Sequence, residues 1–140
     1  MLRKKSRWFG GALMAMVLTV AGLVAAPGAA QAASPITAFS ADDYMSGYAW
    51  AAWSNTGQYS TFKVCDDGAP DSHRAVGYIT WEGGPGTISR QAAGGTGTCS
   101  TPVNVFIPAG KWVKVRACER NGPEIPDLAC GSWRQGISGS

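Results

Sequence analysis

The chain has 140 residues, 45% of them apolar, with 12 basic against 9 acidic residues, one histidine and four cysteines. This length suits one compact domain, and the apolar fraction excludes a wholly disordered chain. The net charge of +3 does not mark a nucleic-acid partner, because Arg3, Lys4, Lys5 and Arg7 crowd the amino terminus and supply four of the basic residues.

Residues 9–26 are almost wholly apolar, small residues follow, and Ala30-Gln31-Ala32 fits the small-x-small site at which signal peptides are cut. The predicted organisation is a signal peptide, helical in its apolar part, over 1–32, followed by a single secreted β domain over 33–140. The apolar run approaches the length that spans a bilayer. Its Gly and Ala content, and the lack of a positive stop-transfer cluster after it, favour cleavage over anchoring. The sequence closes on Gly136-Ile137-Ser138-Gly139-Ser140 without an apolar tail. The expectation is therefore release to the outside and no membrane contact after cleavage. Eight basic residues then stand against nine acids. The one basic grouping, Lys111, Lys114, Arg116 and Arg120, reads as a polar strand face rather than a phosphate-binding surface.

Past the cut, residues 33–41 read as a loose lead-in. Short runs of β-formers follow at 48–54, 59–65, 75–81, 87–92, 103–107, 112–118 and 132–135, and no window of a dozen residues holds a helical apolar period free of Gly and Pro. Turn clusters separate the runs, among them Asn55-Thr56-Gly57, Gly83-Gly84-Pro85-Gly86 and Pro108-Ala109-Gly110. The fold class predicted is all-β: a small antiparallel β-sandwich, or barrel, of about seven strands. Segment 103–118 is the best hairpin, with Val113, Val115 and Ala117 facing the core and Lys114 and Arg116 facing water.

Four cysteines in an exported chain predict two disulfides. Their gaps of 34, 19 and 12 residues suit no zinc site. Cys118–Cys130 would close a loop bearing Pro and Gly, leaving Cys65 with Cys99. Cys65–Cys118 is the alternative, since both residues end similar strands.

Three groups of side chains are candidates for function. Asp66, Asp67 and Asp71 lie in one turn and could offer oxygens to a weakly held Ca²⁺, although such residues are also ordinary in hairpin loops; no other cofactor is expected. His73 lacks any local catalytic motif around it and reads as an exposed loop residue. No spacing among Glu82, Glu119 and Glu124 selects a carboxylate pair. The aromatic residues say more. Trp50 and Trp53, three apart in a strand, point to opposite faces, so one should be buried and the other exposed. Trp53, Trp112 and Trp50 are the binding candidates, because exposed indoles stack on sugars and anchor protein interfaces.

Several segments carry a resemblance. Thr61-Phe62-Lys63-Val64-Cys65-Asp66-Asp67, Asp71-Ser72-His73-Arg74-Ala75-Val76, Lys114-Val115-Arg116-Ala117-Cys118-Glu119 and Ala129-Cys130-Gly131-Ser132-Trp133 resemble a largely uncharacterised group of small secreted actinobacterial β-sandwich proteins with four cysteines. The likeness covers about residues 58–134 and implies a fold rather than an activity. Ser72 stands where that group has Gly. Size and cysteine count are also similar to those of the subtilisin-inhibitor family, but the cysteine spacing departs from it and no reactive-site loop matches.

The function expected is that of a non-catalytic, monomeric binding domain, contacting an extracellular glycan, cell-wall polymer or protein through exposed aromatics. The alternatives are a protease inhibitor or small toxin, for which 119–129 would be the presenting loop, and a small hydrolase.

Overall fold

The computed structural model describes residues 34–41, 49–54, 59–69, 73–124 and 126–139; the predicted signal peptide and Asp71 lie outside them. The described residues form ten strands in two antiparallel sheets, with no helix. The first sheet runs β1 (Ile36–Phe39), β2 (Ala49–Ser54), β3 (Ser60–Asp66), with β6 (Thr98–Cys99) and β7 (Val103–Val105) both pairing the far side of β3. The second runs β10 (Arg134–Ile137), β8 (Trp112–Asn121), β4 (His73–Trp81), β5 (Ile88–Ala93), and β9 (Asp127–Leu128) pairs the end of β8 that β10 does not reach.

Alternation dictates which side of each strand is buried. In β2, Ala49, Ala51 and Trp53 point inward while Trp50, Ala52 and Ser54 stay half-buried outside. In β8, Val113, Val115 and Ala117 enter the core and Lys114 and Arg116 do not, as the sequence predicts. Trp53, Phe62, Val64, Ile79, Val113 and Val115 fill the space between the sheets, each such burial being worth about 1.5–3 kcal/mol. Small residues set how closely the sheets approach. A Cβ on Gly77 would lie 2.3 Å from Val64 Cγ2 and 2.8 Å from Ala51 Cβ.

Both cystines follow the favoured pairing, Cys65–Cys99 and Cys118–Cys130. Cys65 and Cys99 are direct register partners of β3 and β6. Two disulfides in a domain this small are typical of extracellular proteins.

The sequence-based strand list needs three additions and one correction. The lead-in contains β1, whose Ile36 and Ala38 are buried; four residues are too few for their alternation to stand out. β6 and β9 have only two residues each, too few for alternation to show, and each lies at or close to a cystine. The 103–118 hairpin does not exist: β7 pairs β3 in the first sheet and β8 pairs β4 in the second. Ile107 is buried, and the chain crosses between sheets there instead of doubling back. The crossing turn is held by Ser138, whose amide donates to Lys111 O (2.8 Å), whose carbonyl accepts from Gly110 N (2.8 Å) and whose hydroxyl accepts from Lys111 N (3.0 Å).

Candidate functional site

On the outer face of the second sheet, Trp112, Lys114 and Arg116 follow one another along β8 at every second residue, spaced about 6.8 Å apart. Beside them the edge of the sheet is interrupted. β9 and β10 lie in line on the same side of β8, and residues 129–133 fill the break. Ala129 takes φ 42°, Cys130 joins Cys118, and Gly131 N donates to Ala117 O at 3.0 Å. Gly131 is required there, since a Cβ would fall 1.8 Å from Phe39 O. Arg116 reaches into the break and donates from Nε to Gly131 O at 3.0 Å.

This arrangement seats Trp133 on the same face. The Arg116 guanidinium lies 5.9 Å from the Trp133 ring centre and Lys114 Nζ lies 5.2 Å from that of Trp112. Cations at this range are attracted by the ring quadrupole, so each indole is held beside a positive charge. Trp112 is half-buried and Trp133 is 40% exposed. Ile137, the exposed register partner of Trp112, extends the apolar surface. Thr80 and Gln135 flank Lys114 in register.

Farther along the face, Arg120 donates to Asp127 Oδ1 from Nε (2.8 Å) and Nη2 (2.6 Å), and from Nη2 to the Tyr78 hydroxyl (2.9 Å). Tyr78 in turn donates to Asp127. Burial first, then the bond to Asp127, raises the Tyr78 phenol above its ordinary value of 10.0. The Asp127 carboxylate likewise holds the Arg120 guanidinium more firmly protonated. Arg120 Nη1 also donates to Pro123 O at 3.2 Å. Together with β9 these contacts tie Pro123, Asp127 and Leu128 to β8.

No family model, curated protein or solved structure matches the chain.

The remaining sequence candidates are scattered. Trp50 lies on the outer face of the opposite sheet, half-buried, with Lys63 Nζ 5.1 Å from its ring centre. Trp53 is corrected: it is 0% exposed and belongs to the core, as expected for one member of a pair pointing to opposite faces. Asp66 is corrected as well. It is 5% exposed, and its two oxygens accept from Gly68 N (3.2 Å) and Gly95 N (3.1 Å), so it ties two loops together. Asp67 is half-buried outside that contact. Among the described residues the one grouping with metal-ligand spacing is Cys118, Asp127 and Cys130, and both of its sulfurs are committed to the cystine. His73 opens β4, half-buried rather than in an exposed loop, and borders a groove of about 470 Å³ with Arg74, Gly95 and Asn121.

Trp133 is the site residue that sequence reasoning passes over. The signal was present in Cys130-Gly131-Ser132-Trp133: a cysteine and a glycine interrupting the last edge strand place the following indole over β8.

Proposed function

We propose that this chain is an exported, non-catalytic binding domain that holds an extracellular partner against the outer face of its second sheet. The observation that carries the reading is the pair of tryptophan–cation contacts along β8, Trp112 with Lys114 and Trp133 with Arg116. Two indoles kept partly open to solvent, on a rigid sheet anchored by a cystine, present contact area at little entropic cost on binding. Export is supported by the charged, apolar and small-residue sequence of residues 1–32 and by the two disulfides. Binding rather than catalysis is supported by how the polar groups are used. Asp127 is occupied by Arg120 and Tyr78, and Asp66 by backbone amides.

The test is an affinity pull-down against cell-wall polysaccharides and culture-fluid proteins, run with the native protein and with Trp112→Ala and Trp133→Ala. A partner captured by the native protein and lost in both variants, with their melting behaviour retained, is the expected result. Capture that both variants preserve, or no capture from either source, would overturn the reading.

A further inference from the structure

The two sheets differ in charge. Beyond the amino-terminal segment only Lys63 among the eight basic residues belongs to the first sheet; the other seven lie between Arg74 and Arg134, on strands and turns of the second. Four acids share that stretch, and three of them are engaged: Glu82 with Lys111 (3.1 Å), Asp127 with Arg120, and Glu119 as acceptor from the Ser40 hydroxyl (3.0 Å). Lys114 and Arg116 form no ion pair among the described residues. Arg74, Arg90 and Arg134 are likewise without an ion pair among the described residues, but of these five cations only Lys114 and Arg116 stand beside tryptophans.

Their placement restricts what that anion is. Each charge stands within 6 Å of an indole centre, and the two indoles bracket a stretch of β8 about 13 Å long. A fitting ligand must lay an apolar C–H face on the ring and carry a negative charge on that same unit, and must do so twice in succession. An acidic peptide has the charge without the flat C–H face. A nucleic acid has stacking faces, but it binds through a longer run of phosphate contacts than the two cations beside the indoles supply. A sugar ring bearing its own carboxylate meets both demands within one residue, and the Thr80 hydroxyl and Gln135 amide beside Lys114 suit its remaining hydroxyls.

We propose that the partner is an acidic polysaccharide built of carboxylate-bearing sugars, laid along β8 from Trp112 to Trp133 with its carboxylates on Lys114 and Arg116. This proposal rests on the reading of that face as the binding surface. It is tested by affinity electrophoresis of the protein as its host releases it, in gels containing polygalacturonate, neutral dextran or single-stranded oligonucleotide. The variants are Trp112→Ala, Trp133→Ala, Lys114→Gln and, on the opposite sheet, Lys63→Gln.

The expected result is retardation by polygalacturonate alone, weakened by added salt and reduced at least about tenfold in affinity by either tryptophan variant. Lys114→Gln should weaken binding while Lys63→Gln, the same change of charge, leaves it intact. If Trp112→Ala lowers the melting temperature, the surface change at Lys114 still decides the matter. Equal retardation by dextran, retardation by the oligonucleotide alone, or equal effects of the two lysine variants would overturn the proposal. So would a failure of polygalacturonate to bind. If the pull-down nonetheless captures a partner through Trp112 and Trp133, the binding-domain reading survives that failure.

Discussion

Two tryptophans of this chain illustrate how position decides the role of a side chain. Trp53 is wholly enclosed, and its indole Nε1 has no hydrogen-bond partner among the described residues. Trp53→Ala is expected to lower stability by about 3–5 kcal/mol through lost burial and the cavity left behind. Trp53→Phe should be much milder, because it also removes an unpaired N–H whose burial costs about 1–3 kcal/mol. Trp133→Ala should shift the melting midpoint little. Chemical denaturation of the three variants separates these cases, and a Trp133 loss as large as that of Trp53→Ala would make it a core residue. Gly131→Ala should be far more disruptive than its size suggests, since the added carbon meets the rigid carbonyl of Phe39; a stability close to that of the native protein would contradict the packing described. Tyr78 adds a dependence on pH. Its phenol holds the proton more tightly in the folded state, so this contribution to stability is full below about pH 10 and is lost as pH rises through the folded value. Melting measured from about pH 9 to 11 should fall less steeply in Tyr78→Phe than in the native protein.

At the level of the element, the second sheet depends on the break between β9 and β10. The Cys118–Cys130 bridge closes a short loop and should contribute about 3 kcal/mol by restricting the unfolded chain. A Cys118→Ala/Cys130→Ala double variant is expected to lose about that much in urea denaturation, with the Trp133 fluorescence environment changing as well. Alternation made seven of the strands legible in the sequence, along with the inward set Val113, Val115 and Ala117. It did not reveal whether Pro108-Ala109-Gly110 turns the chain back or carries it across, because both connections join alternating runs through the same turn residues. The contacts that decide, from Ser138 and from β3, lie far away in sequence. The site was half legible for the same reason. Trp112 stands out within a clear strand, whereas Trp133 acquires its place only through pairing and a cystine.

For the molecule as a whole, the sheets share a core but present unlike surfaces. The outer face of the first carries one row, Phe39, Trp50, Cys65 and Cys99, joined in direct register, with a single cation, Lys63, over Trp50. The second concentrates basic groups. Residues 33–140 carry eight basic against nine acidic residues, and this separation gives that part of the chain an electrical polarity. Weak association with anionic surfaces should therefore vary with ionic strength although the charges of residues 33–140 nearly balance. Retention on a cation-exchange resin that drops with Lys114→Gln more than with Lys63→Gln is the expected outcome; equal drops would show that only the total charge matters.

The grip of Ser138 on the turn at 108–111 also bears on when the chain can fold. Over Trp112–Val115, β8 gains its edge partner only from β10, and the turn that launches β8 is fastened by a residue some thirty positions later. Most of the sandwich is likewise assembled from partners distant in sequence, the arrangement that folds most slowly. A nascent chain still held at its trailing end therefore has no finished second sheet to form. The second sheet is expected to close only once residues 134–138 are free to pair with β8 and with the turn at 108–111.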